Sequence, residues 1–149
     1  MKAEIVTDST CLIVLERIDL LDILPQLFEP VLVASTVAKE FGRSLQWLNV
    51  KIASDEQFVA SLKSQMHSGE AETIALARER ASRVLLDERR ARHVARKLGL
   101  RIIGTVGVLL LAKHELIIPK VKPVLDRMKA NGFYMTDDLR NDAIRLAGE

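Results

Sequence analysis

Hydrophobic and polar positions change period several times along the chain, and each change marks an element. Residues 2–7 (KAEIVT) alternate and stop at Asp8, which predicts a first strand. The apolar stretch CLIVLERI that follows predicts a helix, with Ser9 or Thr10 able to cap it. A second helical stretch runs from Asp19 to Leu27 and is interrupted at Pro25. PVLVA predicts a short strand, and Ser35 can cap a helix that ends at Gly42. RSLQWLNVKIA allows a strand at an edge or against helices, through its β-branched residues and Trp47. Ser54, Asp55 and Glu56 then start an amphipathic helix with Phe58, Val59 and Leu62 on one face.

Ser68 and Gly69 break that helix, and GEAETIALARERA predicts another. Between its arginine and its aspartate RVLLD is wholly apolar, as strands in the middle of parallel sheets are. ERRARHVARKLG predicts a basic helix stopped by Gly99, LRIIG a further buried strand, and TVGVLLLAKHEL the helix after it. Beyond Pro119 come two last helices, near 121–130 and 137–147, with Thr136 capping the second. The alternation of strand and helix predicts an α/β fold, a three-layer α/β/α sandwich with a central, mainly parallel sheet and right-handed crossovers. With 149 residues and no linker, repeat or low-complexity stretch, one domain over 1–149 is expected.

Composition narrows the chemistry. One Trp, one Tyr and four Phe are too few for a platform on which many bases stack. The single cysteine, Cys11, excludes an internal disulfide and cannot build a zinc cluster alone. Its place in CLIVL predicts a small buried hydrophobe rather than a nucleophile. The first residues hold no apolar signal region, and no apolar stretch approaches membrane-spanning length, so a cytoplasmic protein with no membrane partner is expected.

Net charge is only +2, yet residues 78–101 carry nine basic side chains against three acidic ones. Such clustering suits a polyanion-binding face, and equally a pair of solvated helices. His67, His93 and His114 lack ligand-like spacing, and neither a Ser–His–Asp set nor a Cys–His pair is legible.

Four carboxylates fall where strands end or helices begin: Asp8, Glu40, Glu70 and Asp87. Asp8 and Asp87 each follow a predicted central strand, where an open parallel sheet displays its working groups. Glu40 lies farther into the helix after the second strand, and Glu70 and Glu72 lie in the first turn of theirs. Any one of these has a structural reading, as a helix cap, a partner of the helix dipole or a surface residue. Together on one edge they would repel unless a cation neutralised them. An oxygen-only set selects a hard ion, Mg²⁺ or Mn²⁺, which can activate water against a phosphodiester.

The pieces DSTCLIVLERI, VLVASTVAKEF, GEAETIALA, VLLDERRARHVARKLGLRIIGTVGVLLLAK and LRNDAIRLAGE span nearly the whole chain. In these the sequence resembles PIN-domain proteins, the fold of VapC-type toxin endoribonucleases, and most closely a subfamily of short, mostly uncharacterised prokaryotic members. The resemblance implies a four-acid site on Asp8, Glu40, Glu70 and Asp87. It implies Mg²⁺- or Mn²⁺-dependent cutting of single-stranded RNA by metal-activated water, leaving a 5′-phosphate and a 3′-hydroxyl. A homodimer and a cognate antitoxin protein that blocks the site are also implied. The third acid is usually Asp in the well-studied toxins, so Glu70 departs from the pattern by one methylene, with Glu72 as its rival. No match stands out for the additional acid some PIN nucleases use for a second metal, although Glu88 neighbours Asp87.

Around these acids, Thr10 can share a capping and an RNA-binding role, and Arg89, Arg90 and Arg92 can meet backbone phosphates. Gly104-Thr105-Val106-Gly107 is a weak phosphate-cradle signal or simply a tight strand-to-helix turn. Two other functions fit the same chain. One is a non-catalytic module on this fold that binds nucleic acid or protein. The other is a small-molecule phosphatase, which the missing Asp-x-Asp pair at Asp8-Ser9-Thr10 disfavours.

Overall fold

The computed structural model describes residues 2–149. Five strands form one all-parallel sheet: β1 (Ala3–Thr7), β2 (Phe28–Ala34), β3 (Leu48–Lys51), β4 (Arg83–Leu85) and β5 (Ile102–Ile103). Their order across the sheet is β3-β2-β1-β4-β5. The expected α/β sandwich with a parallel sheet is therefore what the chain forms.

Side chains alternate between the two faces of a strand, and here both faces are covered, so successive apolar residues feed different cores. Ile5, Val31, Val33 and Leu85 point into one core, against α1 (Ser9–Arg17), α2 (Ile23–Leu27), α3 (Ser35–Phe41), α7 (Thr105–His114) and α8 (Lys122–Ala130). Val6, Leu32, Val84 and Leu86 point into the other, against α4 (Glu56–Lys63), α5 (Ser68–Arg80) and α6 (Arg89–Lys97). Helix α9 (Asp137–Leu146) adds Ala143 to the first core. Cys11 lies there, fully buried, as its apolar setting predicts.

Several local expectations need correction. Asp8, not Ser9 or Thr10, caps α1: its backbone is extended and its carboxylate accepts the Cys11 N–H at 3.2 Å. Ser35 is already helical, with Ala34 in the capping position. Pro25 does not interrupt a helix but sits within the first turn of α2, where its missing N–H goes unneeded. Ser68 and Gly69 open α5 rather than break anything. Strand β5 is half-buried, not buried, because it is an edge strand with β4 as its one neighbour.

Strand order positions the chemistry. From β1 the chain moves to β2 and β3 on one side, then crosses to β4 and β5 on the other. Connections therefore diverge between β1 and β4 and leave a crevice outside their carboxyl ends. Asp8 follows β1 directly, and Asp87 follows β4 after Leu86. The two strands are tied to their ends, with Thr7 opposite Leu85 and the Asp8 N–H donating to Leu85 O at 3.2 Å.

Candidate active site

A cavity of about 280 Å³ opens at this crevice, and Asp8, Glu40, Glu70 and Glu88 face it together with His67 and Thr10. Each acid comes from a different stretch of chain. Asp8 caps α1, Glu40 stands in the last turn of α3, Glu70 in the first turn of α5, and Glu88 caps α6.

Asp8 is 4 % exposed, which is unusual for a carboxylate without a cationic partner. Burial pushes its carboxyl from 3.8 up to about 7, with the neighbouring Asp87 and Glu70 carboxylates adding to the rise. The N–H groups of Cys11 and Asp87 oppose it and hold the anion in part.

Glu70 is half-buried, and its carboxyl is also raised, by burial first and then by the facing Glu88. Its Oε2 is buried without a hydrogen-bond partner. The Glu70 carboxyl is within hydrogen-bonding reach of Glu88, so a shared proton can join the two, and with both ionised Oε2 is a buried acceptor without a donor. Glu88 behaves oppositely: burial, the largest single effect, pushes it up, but the N–H groups of Arg90 and Ala91, with Glu70 and the Arg90 charge, together keep it below the usual range. They donate to its two oxygens at 3.0 and 2.8 Å.

Glu40 is exposed and accepts the Ser9 hydroxyl at 3.4 Å. Glu72, the rival third acid, is turned away from the cavity. Its carboxylate accepts the Ser35 hydroxyl at 3.2 Å and the Thr36 N–H at 3.4 Å, and bonds the Thr36 hydroxyl as well. It thereby supplies the cap that α3 lacks from its own chain, since Ala34 has no polar side chain to offer.

Asp87 stands beside Asp8 but aims its carboxylate at α7. Thr105 donates its N–H at 2.9 Å and its hydroxyl at 2.5 Å to the two Asp87 oxygens. The amide suggested as a phosphate cradle is thus occupied by Asp87, and Gly104 leaves room for it: a Cβ there would lie 3.1 Å from Asp87 Oδ1 and 3.0 Å from Arg92 Nη1. Arg92 is half-buried and donates to Leu86 O at 2.7 Å, bracing the segment that carries Asp87. Arg89 and Arg90, in contrast, are exposed on α6. His93 is exposed too.

Three of the four expected acids, Asp8, Glu40 and Glu70, thus share one cavity, and Asp87 adjoins it through its field on Asp8. Among the described residues no group of three Asp, Glu, His or Cys side chains converges closely enough to hold an ion as it stands. Sequence reasoning gave no site role to Thr105 as the grip on Asp87, nor to His67 and Gly69 at the cavity. Glu88 was signalled only by its adjacency to Asp87.

The family model for the PIN domain matches residues 4–149. The chain belongs to the PIN-domain family. No curated protein matches it. A PIN domain is a nuclease-type fold whose members generally use divalent metal ions. The donor set here fits such an ion: four carboxylates face the cavity against one imidazole, His67, one carboxylate oxygen, Glu70 Oε2, is buried and unpartnered, and Asp8 is crowded by like charge. Among the described residues of this PIN domain, no helix is long and apolar enough to cross a membrane.

Proposed function

We propose that this PIN domain is a Mg²⁺- or Mn²⁺-dependent endoribonuclease that cuts single-stranded RNA, the toxin half of a toxin–antitoxin pair. Asp8, Glu40, Glu70 and Asp87 would hold the ion, which when bound lowers the pKa of water and neutralises charge developing on phosphate. The observation that carries this reading is the pairing, in one crevice, of a buried aspartate titrating near 7 with a buried glutamate oxygen that has no partner.

Each residue has a distinct task. Asp8, fixed by the Cys11 N–H, is the rigid member around which the others arrange. Glu40, exposed at its helix end, is free to adjust. Thr105 and Arg92 position the Asp87 segment. Arg89 and Arg90 on α6, and Thr10 on α1, meet the backbone phosphates of the strand. We place the protein in the cytoplasm as a homodimer, with a cognate antitoxin covering the crevice.

One observation favours a second reading, a non-catalytic PIN module that binds nucleic acid or protein. Asp87 is satisfied by Thr105, and among the described residues no three-ligand cluster is assembled. A Mg²⁺ titration with single-stranded RNA separates the two. The nuclease reading expects cleavage that depends on Mg²⁺ and is lost in Asp8→Asn and Asp87→Asn. Equal cleavage by all three proteins removes the site assignment, and chelator-insensitive binding without turnover favours the module.

A further inference from the structure

A second cavity, of about 570 Å³, opens on the other side of Asp87, between β5, α7, the loop before α9, and α9 itself. Ile103, Leu110, Leu139 and Leu146 give it apolar walls, while Asp87 and Arg92 form the end nearest the carboxylates. Leu139 and Leu146 are 44 % and 67 % exposed, so the groove is open to a ligand. At its mouth stands Tyr134, the chain's one tyrosine, 83 % exposed. The same ring borders a neighbouring cavity that contains Thr10 and Arg17. Tyr134 therefore lies on a ridge between the Asp87 side and the Thr10 side of the carboxylate edge.

We propose that this groove receives one nucleobase of the RNA strand, next to the scissile phosphate, with Tyr134 stacking on it. The inference rests on the reading of the crevice as an RNA site. The groove ends at Asp87 and Arg92, so its occupant lies next to whatever reaches those residues, and a single strand presents planar apolar faces joined by phosphates. Arg92 at the Asp87 end of the groove suits the phosphate, the leucines suit the base, and Asp142 in the lining can accept from an exocyclic amino group. A chain poor in aromatics has no platform for many bases, yet Tyr134, with Phe133 beside it in the lining, suffices for one base.

The test is binding, read by fluorescence anisotropy in chelator so that no strand is cut. A short oligoribonucleotide is compared with an abasic ribose-phosphate oligomer of equal length, on the intact chain, Tyr134→Ala and Tyr134→Phe. The base-bearing strand is expected to bind roughly 5- to 150-fold tighter than the abasic one. Tyr134→Ala should remove most of that preference, Tyr134→Phe should keep it, and the abasic strand should be indifferent to both. Equal binding of the two strands, or equal weakening of both by Tyr134→Ala, overturns the proposal. So does a dimer that Leu146→Asp dissociates, which would assign the groove to a second copy. Absence of base preference alongside intact Mg²⁺-dependent cleavage sinks the groove alone. Base preference without cleavage upholds the groove and sinks the nuclease.

Discussion

Glu40 lies against the α-carbon of Gly69: a methyl group there would overlap Glu40 Oε1 and stand 3.4 Å from Val37 Cγ2. The amino end of α5 can carry Glu70 beside Glu40 because Gly69 has no side chain.

Gly69→Ala is the first test of that relationship. Alanine in a helix is ordinarily better than glycine by roughly 0.5–1 kcal/mol, and the obstructing atom is the end of a movable side chain. Thermal stability should therefore change little, while displacement of Glu40 lowers Mg²⁺-dependent cleavage at least about tenfold, as a small misplacement at a reacting centre can. Unchanged cleavage would mean that Glu40 serves no part of the site.

Asp8 contributes a decline of stability with rising pH. Its carboxyl is raised in the folded protein, from 3.8 to about 7, so between those values the folded state keeps a proton that the unfolded chain has lost. Stability contributed by this group is whole below about pH 4 and is lost as pH rises through 7, by up to about 4 kcal/mol. Denaturant melts should show a decline between about pH 4 and 7 in the intact chain that is absent or much reduced in Asp8→Asn. Because asparagine can still accept the Cys11 N–H, the variant should also be the more stable of the two above the folded-state value.

Glu70 and Glu72 should separate cleanly. Glu72→Ala removes the bonds to Ser35 and Thr36 and with them the cap of α3, at a cost of about 1–2 kcal/mol. Glu70→Gln removes a charge that burial and Glu88 oppose, so it should leave stability equal or higher while lowering cleavage. Paired melts and cleavage assays check both, and the reverse pattern would exchange their roles.

How much of this could be read from the chain depends on the range of the contact involved. The apolar run Val84–Leu86 and the alternation ending at Asp8 describe strands by their own residues, so the sheet and its two end-of-strand aspartates were legible. The cap of α1 was displaced by one position because Asp8, Ser9 and Thr10 are all able to cap, and backbone angles decide among them. Whether Glu70 or Glu72 faces the crevice depends on α3 packing beside α5, where Glu72 meets residues 36 and 37 positions away. The grip of Thr105 on Asp87 spans 18 residues and two elements, and no local period encodes it.

Arg89 and Arg90 should act through charge alone. The double alanine variant is expected to weaken binding of single-stranded RNA regardless of its sequence. It should also flatten the dependence of log K on log salt by about 0.7 for each phosphate that is no longer neutralised. A salt titration with an unstructured oligonucleotide reads this. Arg92→Ala should lower the melting temperature as well as weaken binding, since Arg92 also braces Leu86 O.

Anomalous diffraction from a crystal soaked in Mn²⁺ addresses the central claim most directly. The account predicts one strong peak in the crevice between Asp8 and Glu70, with Asp87 swung from Thr105 toward it. No peak there at saturating Mn²⁺, with Asp87 still held by Thr105, would contradict the account.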